Sequence, residues 1–559
     1  MVDEIINEEY MDLIIPNVIV DNFSYAIKRT TINARYTLIN IPKETVDVCD
    51  LGDIYSFIPA IYITESKMAL DETGVRKIRY EPEFELYGTG TLIGIIDSGI
   101  NYLHPAFRYN DNTTKIQAIW DQSLNKEATS GKNVDFPYGT IYTKNAINYA
   151  LKQSDPLSIV PTEDKLGHGT MVAGIAVGSE DEEKEFSGVA PLSELIVVKL
   201  KQAKGIIKDV FSVSDNKNCY QESDIMMGIG FVLDIAKKLK RPLVICIALG
   251  TNQGGEYSRG PLTNFLDLVT TLPGVCSIIS GGNEGNTRRH FSSKLTSENS
   301  TKDIHIHVGD KDKNFLIEIW PQYNQIVSLE LISPSGEIST NFVLDYLNIN
   351  TYKLYMGETF ICIDNVLSEL RLGRQLILIR FVNTQSGSWT IRYHNVDKSY
   401  SELNAFLPSG NLLSEDTYFI ESDSFTTITS PGNSLAPITI TSYDSSSGNI
   451  SAFSSKGYTR DNEIKPDLVA PGRDITAPYQ SAGYVNMTGT GAAAALVSGI
   501  VALIYEWAIT KGNFTNLTGA EIKTLLIQGA NRDLNIEYPN QTWGYGKVDL
   551  TGFFDKVTR

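Results

Sequence analysis

The chain has 559 residues, of which 42% are hydrophobic and 20% charged. That is material for large apolar cores and too much length for one compact domain, so about two to four are expected. Forty-eight Lys and Arg against sixty-six Asp and Glu leave a formal charge of −18, which argues against nucleic acid and anionic membranes as partners. The acidic surplus is scattered except at residues 180–183, which read as a solvated loop, with a cation site as the lesser option. The first twelve residues are acidic and lack the basic start and apolar centre of a secretion signal. No stretch approaches the roughly 18 apolar residues of a membrane span. Cys49, Cys219, Cys246, Cys276 and Cys362 are odd in number and widely scattered, a pattern that argues for a reducing compartment and against a disulfide framework. Cys246 and Cys276 stand in apolar runs and read as small core residues. The expected setting is intracellular.

Residues 17–64 carry a small α/β pattern. Segments 17–20, 25–31, 36–41 and 60–64 read as short strands, and 43–57, which follows Pro42, has room for a helix. Any small ferredoxin-like module fits that pattern. A polar linker follows at 65–85. The next run, Gly88-Thr-Gly-Thr-Leu-Ile-Gly-Ile-Ile-Asp97-Ser-Gly, is continuously apolar and ends in a carboxylate. It predicts a buried parallel strand that delivers Asp97 to the edge of the sheet where open α/β folds bind ligands. The plainer alternative is an aspartate capping a tight turn. The second landmark is Asp164-Lys-Leu-Gly-His168-Gly-Thr-Met-Val-Ala-Gly174. Glycines on both sides leave His168 uncrowded, and a helix of small residues is expected from Thr170 to Val177.

A strand at 194–200, a helix at 223–238 and a strand at 243–247 follow, the last ending in Ala248-Leu249-Gly250. Another strand, 275–280, leads into Gly281-Gly-Asn283-Glu-Gly285. That turn points the Asn283 amide at the same sheet edge, although an asparagine in such a place is by itself an ordinary turn former. From 297 to 426 short strand-like runs recur, at 304–308, 316–320, 327–332, 353–355, 376–381 and 389–393. Gly, Ser, Pro and Asn separate them, which suggests a β-sandwich insert. It carries no metal or sugar-stacking signature, so a structural or docking role is expected. The core resumes with a strand at 438–440 and the segment Lys465-Pro-Asp-Leu-Val-Ala-Pro-Gly472. Then comes Asn486-Met-Thr-Gly-Thr-Gly491-Ala-Ala-Ala-Ala495, a small-residue turn opening the apolar run 496–507, with backbone amides free at its start. An amphipathic helix at 519–529 and Gly544-Tyr-Gly-Lys-Val-Asp549 close the chain.

Asp97, then His168 some seventy residues on, then a Gly-Thr-x turn far downstream is the order in which subtilisins present their triad. Together with the Gly-Asn-x-Gly turn and the Lys465–Gly472 segment, these motifs make the core, 85–290 and 425–555, resemble the subtilisin-like serine proteases. The resemblance implies a doubly wound parallel α/β sheet. It also implies an N-terminal propeptide over residues 1–65 whose end lies in the cleft, core segments 66–296 and 427–559, and the insert 297–426 between them. Asp97 and His168 would be catalytic, Asn283 an oxyanion donor, and Ala248, Leu249 and Gly250 the backbone that pairs with substrate. No cofactor or metal is implied.

The layout is most similar to the Csp germination proteases of clostridial spores, some of which are pseudoproteases regulating a cascade that activates a cortex-lytic enzyme. That implies a protein partner or peptide substrate, a related protease or a cortex-lytic zymogen, in a spore setting. One position departs from the family. Gly491 stands where the nucleophilic serine belongs. Ser498 is about two helical turns further on, roughly 10 Å at 1.5 Å per residue, and Thr490 and Thr488 should face other ways. The expectation is a pseudoprotease that works by binding; the alternative is an active endopeptidase whose serine has been exchanged to trap an uncleaved form.

Overall fold

The computed structural model describes residues 4–64, 84–124, 136–254, 258–344, 351–369, 374–480 and 483–557, save 25 and 323, together with Thr73 and Val75. Most of the expected linker at 65–85, and the expected propeptide junction within 64–71 beyond Thr64 itself, lie outside the described residues.

Eight strands form the central sheet, in the order Leu468–Pro471, Ile438–Tyr443, Val275–Ser280, Leu243–Ile247, Leu92–Asp97, Glu194–Lys199, Ile116–Asp121 and Thr140–Thr143. All neighbours are parallel except the last pair. Helices cover both faces, which is why these strands are apolar without alternation. Along Leu92–Asp97, Ile93 and Ile95 face one core while Leu92 and Ile96 face the other, as a two-residue period requires. The first core holds helices His168–Val177 and Thr490–Tyr505; the second holds Glu222–Leu239 and Pro261–Thr270. Strands added after Leu92–Asp97 first go to one side of it (Ile116–Asp121, Glu194–Lys199) and then to the other (Leu243–Ile247 onward). The order therefore reverses at the strand that ends in Asp97, and the crevice beyond its carboxyl end is where such folds bind ligands.

Every residue of helix Thr490–Tyr505 is buried. Its run of alanines, 492–495, and Gly499 let neighbours come close: a Cβ on Gly499 would lie 2.4 Å from Val189 Cβ. With its continuation to Thr510 this is the one helix among the described residues long and apolar enough to cross a membrane. That corrects the expectation that no such stretch exists. Nearly all of it is inside the fold, as an all-round apolar core helix must be.

Near the N-terminus, Tyr10–Pro16, Tyr36–Pro42 and Lys28–Thr31 form an antiparallel sheet. The acidic composition of the first twelve residues hid the strand Tyr10–Pro16, whose middle five residues are buried. Residues 17–20, expected as a strand, are a turn running into a 3-10 segment, Val20–Asn22. The expected helix within 43–57 is two 3-10 segments, Lys43–Thr45 and Gly52–Phe57. Asp47 Oδ1 accepts from the Cys49 amide at 2.9 Å, a side-chain turn that competes with helix formation between them. Asp12 is fully buried and meets Lys204 Nζ of the core at 2.7 Å.

The insert is a β-sandwich. One sheet runs His290–Leu295, Ser401–Phe406, Phe315–Pro321, Arg374–Val382, Thr359–Glu369, Tyr352–Met356; the other Phe342–Leu344, Val327–Ile332, Gly387–Asn395, Thr301–Val308, Tyr418–Phe419. Inward side chains of both, Trp389 and Tyr393 among them, make one core. Its first strand, His290–Leu295, lies ahead of the expected boundary at 297.

The cysteines overturn one expectation. Cys49 and Cys362, 313 positions apart in sequence, are joined by a disulfide, with Cα atoms 5.6 Å apart. Spacing along the chain carries no signal for such a pair, because only the docking of the insert on the N-terminal region brings them together. Cys219, Cys246 and Cys276 are free and buried.

Candidate active site

Asp97 is the last residue of its strand and is buried. Its Oδ1 accepts from the Ser98 amide at 2.6 Å and sits 2.7 Å from His168 Nδ1. His168 is the first residue of its helix, not a residue ahead of it as expected, and is also buried. Its flanking glycines serve contact more than openness. Gly167 caps the helix at φ +75°, and a Cβ there would come within 2.1 Å of the Tyr479 ring. A Cβ on Gly169 would meet the Gly99 carbonyl oxygen at 2.2 Å and Asp97 Cβ at 3.1 Å. Only glycine lets the helix start press against the strand end, and that approach is what closes the Asp–His contact.

Asp164 holds this junction together, a part the sequence reading did not give it. Its Oδ1 accepts from Ser98 Oγ at 2.8 Å and the Gly167 amide at 2.9 Å. Its Oδ2 accepts from the Thr170 amide at 2.9 Å and Thr170 Oγ1 at 2.7 Å. Ser98 Oγ in turn accepts from the Gly169 amide at 3.0 Å. The carboxylate thus satisfies amides at the start of the His168 helix that would otherwise lack partners. An acidic residue four places ahead of a glycine-flanked histidine was the available signal.

Asn283 follows strand Val275–Ser280, and its Oδ1 accepts from the Thr490 amide at 3.0 Å and lies 3.2 Å from Thr490 Oγ1. Thr490 Oγ1 also accepts from the Gly282 amide at 3.1 Å. With the carbonyl end of the amide fixed, the half-buried side chain has its two N–H donors left for a ligand. Gly491 comes next after Thr490, in the first turn of the buried helix. The structure therefore brings Asn283 against the Gly491 turn, and Asp97 against His168, on two helices that pack on each other.

Neighbouring hydroxyls and thiols do not fill the gap at 491. Thr490 is engaged with Asn283, and Thr488 Oγ1 accepts from the Asp474 amide at 3.2 Å. Ser498 is fully buried and donates to the Ala494 carbonyl at 2.8 Å. Burial pushes the Cys246 thiol up to about 12, far from the thiolate form that attacks. The arrangement can hold a proton on an oriented histidine and offer amide donors to an oxyanion, with no nucleophile among these residues to join them.

The crevice is occupied by the chain itself. Leu249–Gly250, with Ala248 immediately before it, pairs antiparallel with Ile61–Thr64, Leu249 opposite Thr64 and Gly250 opposite Ile63. The other edge of Ile61–Thr64 pairs with Tyr220–Gln221. Tyr62 joins the core beneath the sheet. Above Ile63 lies Gly410 of the insert, so close that a Cβ on it would come within 2.0 Å of Ile63 Cδ1. That contribution of the insert to the crevice was not legible in the sequence.

A doubly wound sheet with an aspartate–histidine pair at its switch point and an asparagine facing the turn of a buried helix defines the scaffold of a serine-type hydrolase. The sequence profile of the Subtilase family (Peptidase_S8) matches residues 88–314 and 404–546, and the chain belongs to that family. The interval it skips is the middle of the sandwich. The structure of the Clostridium perfringens CspB protease is similar, with a TM-score of 0.76 and 30% identity, covering 87% of this chain and 96% of that one. C5a peptidase of Streptococcus pyogenes serotype M3 is 23% identical over 501 residues, 83% of this chain and 39% of its own length. The PII-type proteinase of Lactococcus lactis subsp. cremoris is 22% identical over 539 residues, 85% of this chain and 26% of its own. The chain thus spans well under half the length of these two relatives.

Proposed function

We propose that the chain is a catalytically silent subtilase, a pseudoprotease that keeps a protease's geometry and acts by binding a protein partner in a proteolytic cascade. The observation that carries this reading is Gly491 in the first turn of the core helix, where a subtilase has its attacking hydroxyl. Without that hydroxyl the nucleophile that the histidine of a subtilase activates is missing; in subtilisin, losing the nucleophile costs about 2 × 10⁶ in turnover. In this reading Asp97 and His168 are the retained base and its orienter, and Asn283 the retained oxyanion donor. Residues 1–65 are a propeptide whose end stays in the crevice, with 66–296 and 427–559 as the protease core, apart from the strand His290–Leu295 that joins the sandwich, and 297–426 as the rest of a jelly-roll insert. We extend the reading, on the Csp-like layout of N-terminal region, core and insert alone, to a role in spore germination inside the spore, with a related protease or a cortex-lytic zymogen as partner.

A second reading is favoured by how intact the surroundings are: an active endopeptidase of the same type whose serine has been exchanged. Both readings meet in one experiment. Gly491 lies in a helix and outside the positive-φ region, so Gly491→Ser costs no backbone strain. The chain with Gly491 should stay covalently intact on prolonged incubation. Gly491→Ser should cut itself between residues 64 and 71, where the peptide is tethered at high effective concentration, and Gly491→Ser/His168→Ala should not. Intact-mass measurement reads all three. Self-cleavage of the Gly491 chain, in a host free of related proteases, would overturn the silent-protease reading.

A further inference from the structure

The segment that fills the crevice is fastened upstream to the insert. Twelve positions before Ile61, Cys49 is bonded to Cys362 in strand Thr359–Glu369. Just past it the Leu51 amide donates to Asp364 Oδ2 at 3.2 Å, and Tyr55 Oη donates to Glu318 Oε1 at 2.9 Å. The other oxygen of Glu318 accepts from the Gly254 amide at 3.0 Å, a few residues beyond the Leu249–Gly250 wall. Glu318 thus touches both the anchor of the crevice strand and the loop after the crevice wall, whose Gln253 Oε1 accepts from the Ile61 amide at 3.0 Å. Leu51, Tyr55, Phe57, Ile61 and Ile63 share one apolar core with insert side chains such as Leu316 and Trp320. One covalent bond therefore stands at the head of a short segment that must move as a unit if the crevice is to open.

We propose that the Cys49–Cys362 bond is a redox latch on the crevice: oxidised, it keeps Ile61–Thr64 seated between its two neighbouring strands, and reduced by a dithiol it lets that strand lift. The chemistry is ordinary exchange. A dithiol thiolate attacks Sγ of Cys49, which is the more exposed residue of the two at 8% against 1%, and Cys362 leaves as thiolate. The second thiolate of the reductant then attacks the mixed disulfide, releasing Cys49 as thiolate while the reductant closes to its own cyclic disulfide. Two electrons pass from the dithiol to the protein, and both new thiolates take up protons from water. The proposal does not depend on residue 491 or on any activity, so it stands or falls apart from the silent-protease reading.

The test uses the full chain with hydrogen exchange read by mass spectrometry, with dithiothreitol as the dithiol. Protein isolated with its thiols alkylated, unreduced, should yield a Cys49–Cys362 cross-linked peptide. Reduction should speed amide exchange in Ile61–Thr64 at least tenfold, and leave Leu243–Ile247 in the central sheet unchanged. Cys49→Ser/Cys362→Ser should exchange at the fast rate with or without dithiothreitol. Three results overturn the proposal. These are the absence of the cross-linked peptide, equal exchange of Ile61–Thr64 in both redox states, and faster exchange of Leu243–Ile247 alongside it, which would make the bond a general brace.

Discussion

Asp12 is a test of how firmly the N-terminal sheet is fixed to the protease core. The side chain is wholly buried and accepts from Asn40 Nδ2 at 2.6 Å, Gln221 Nε2 at 2.8 Å and Lys204 Nζ at 2.7 Å. Lys204 is 1% exposed, and its other partners are two carbonyls, of Glu4 at 2.8 Å and Tyr10 at 3.1 Å. The neighbouring carboxylate, Asp224, is already 2.8 Å from Lys201 Nζ. Asp12→Ala therefore leaves a buried ammonium with no counter-ion, a loss of about 3–5 kcal/mol. A ceiling comes from deprotonation. Burial already lowers the Lys204 pKa, and discharging a lysine of reference pKa about 10.4 at pH 7 costs about 5 kcal/mol at 1.36 kcal/mol per unit. If the sheet opens as a unit, hydrogen-exchange protection in Tyr10–Pro16 and Tyr36–Pro42 should fall by about 100- to 5,000-fold. Protection in Leu243–Ile247 should hold. Asp12→Leu/Lys204→Met, which removes both charges, should recover most of the loss. Unchanged protection in Asp12→Ala, or a double variant no better than the single, would refute the reasoning.

Two further outcomes follow from other sites. Lys115 is buried with its ammonium on the Val177 carbonyl at 3.1 Å and on the Pro191 carbonyl, and burial lowers its pKa to about 7. Unfolding between about pH 7 and 10.4 then takes up a proton, so this residue makes stability rise with pH across that window by up to about 1.4 kcal/mol per unit. Lys115→Met should flatten that rise in urea midpoints measured from pH 7 to 9, and an unchanged slope would count against it. Gly169→Ala drives a methyl to within 2.2 Å of the Gly99 oxygen. It should cost about 1–3 kcal/mol in chemical denaturation, and in a Gly491→Ser background it should abolish self-cleavage by parting His168 from Asp97.

Much of the site was legible because its signals are local. A strand that must be buried on both faces reads as an unbroken apolar run, so Leu243–Ile247 and Val275–Ser280 have their expected bounds, and Asp97 falls at the strand end where the run stops. Thr518 before Gly519–Gly529 caps that helix together with Glu521, a pairing written within four residues. The vacancy at 491 is also a fact of sequence, since glycine has no side chain in any fold.

Tertiary structure alone decided what depends on residues far apart. Asp164 reaches Ser98 across 66 positions, Gly410 comes down on Ile63 from the insert, and Cys49 finds Cys362. None has a period or spacing to betray it, because each contact exists only after the sheet, the sandwich and the N-terminal strands have packed together. The His168 glycines carry both lessons. Their presence marked the site in sequence, while the reason for them, a Tyr479 ring on one side and the Gly99 carbonyl on the other, is a steric fact that only the assembled fold supplies.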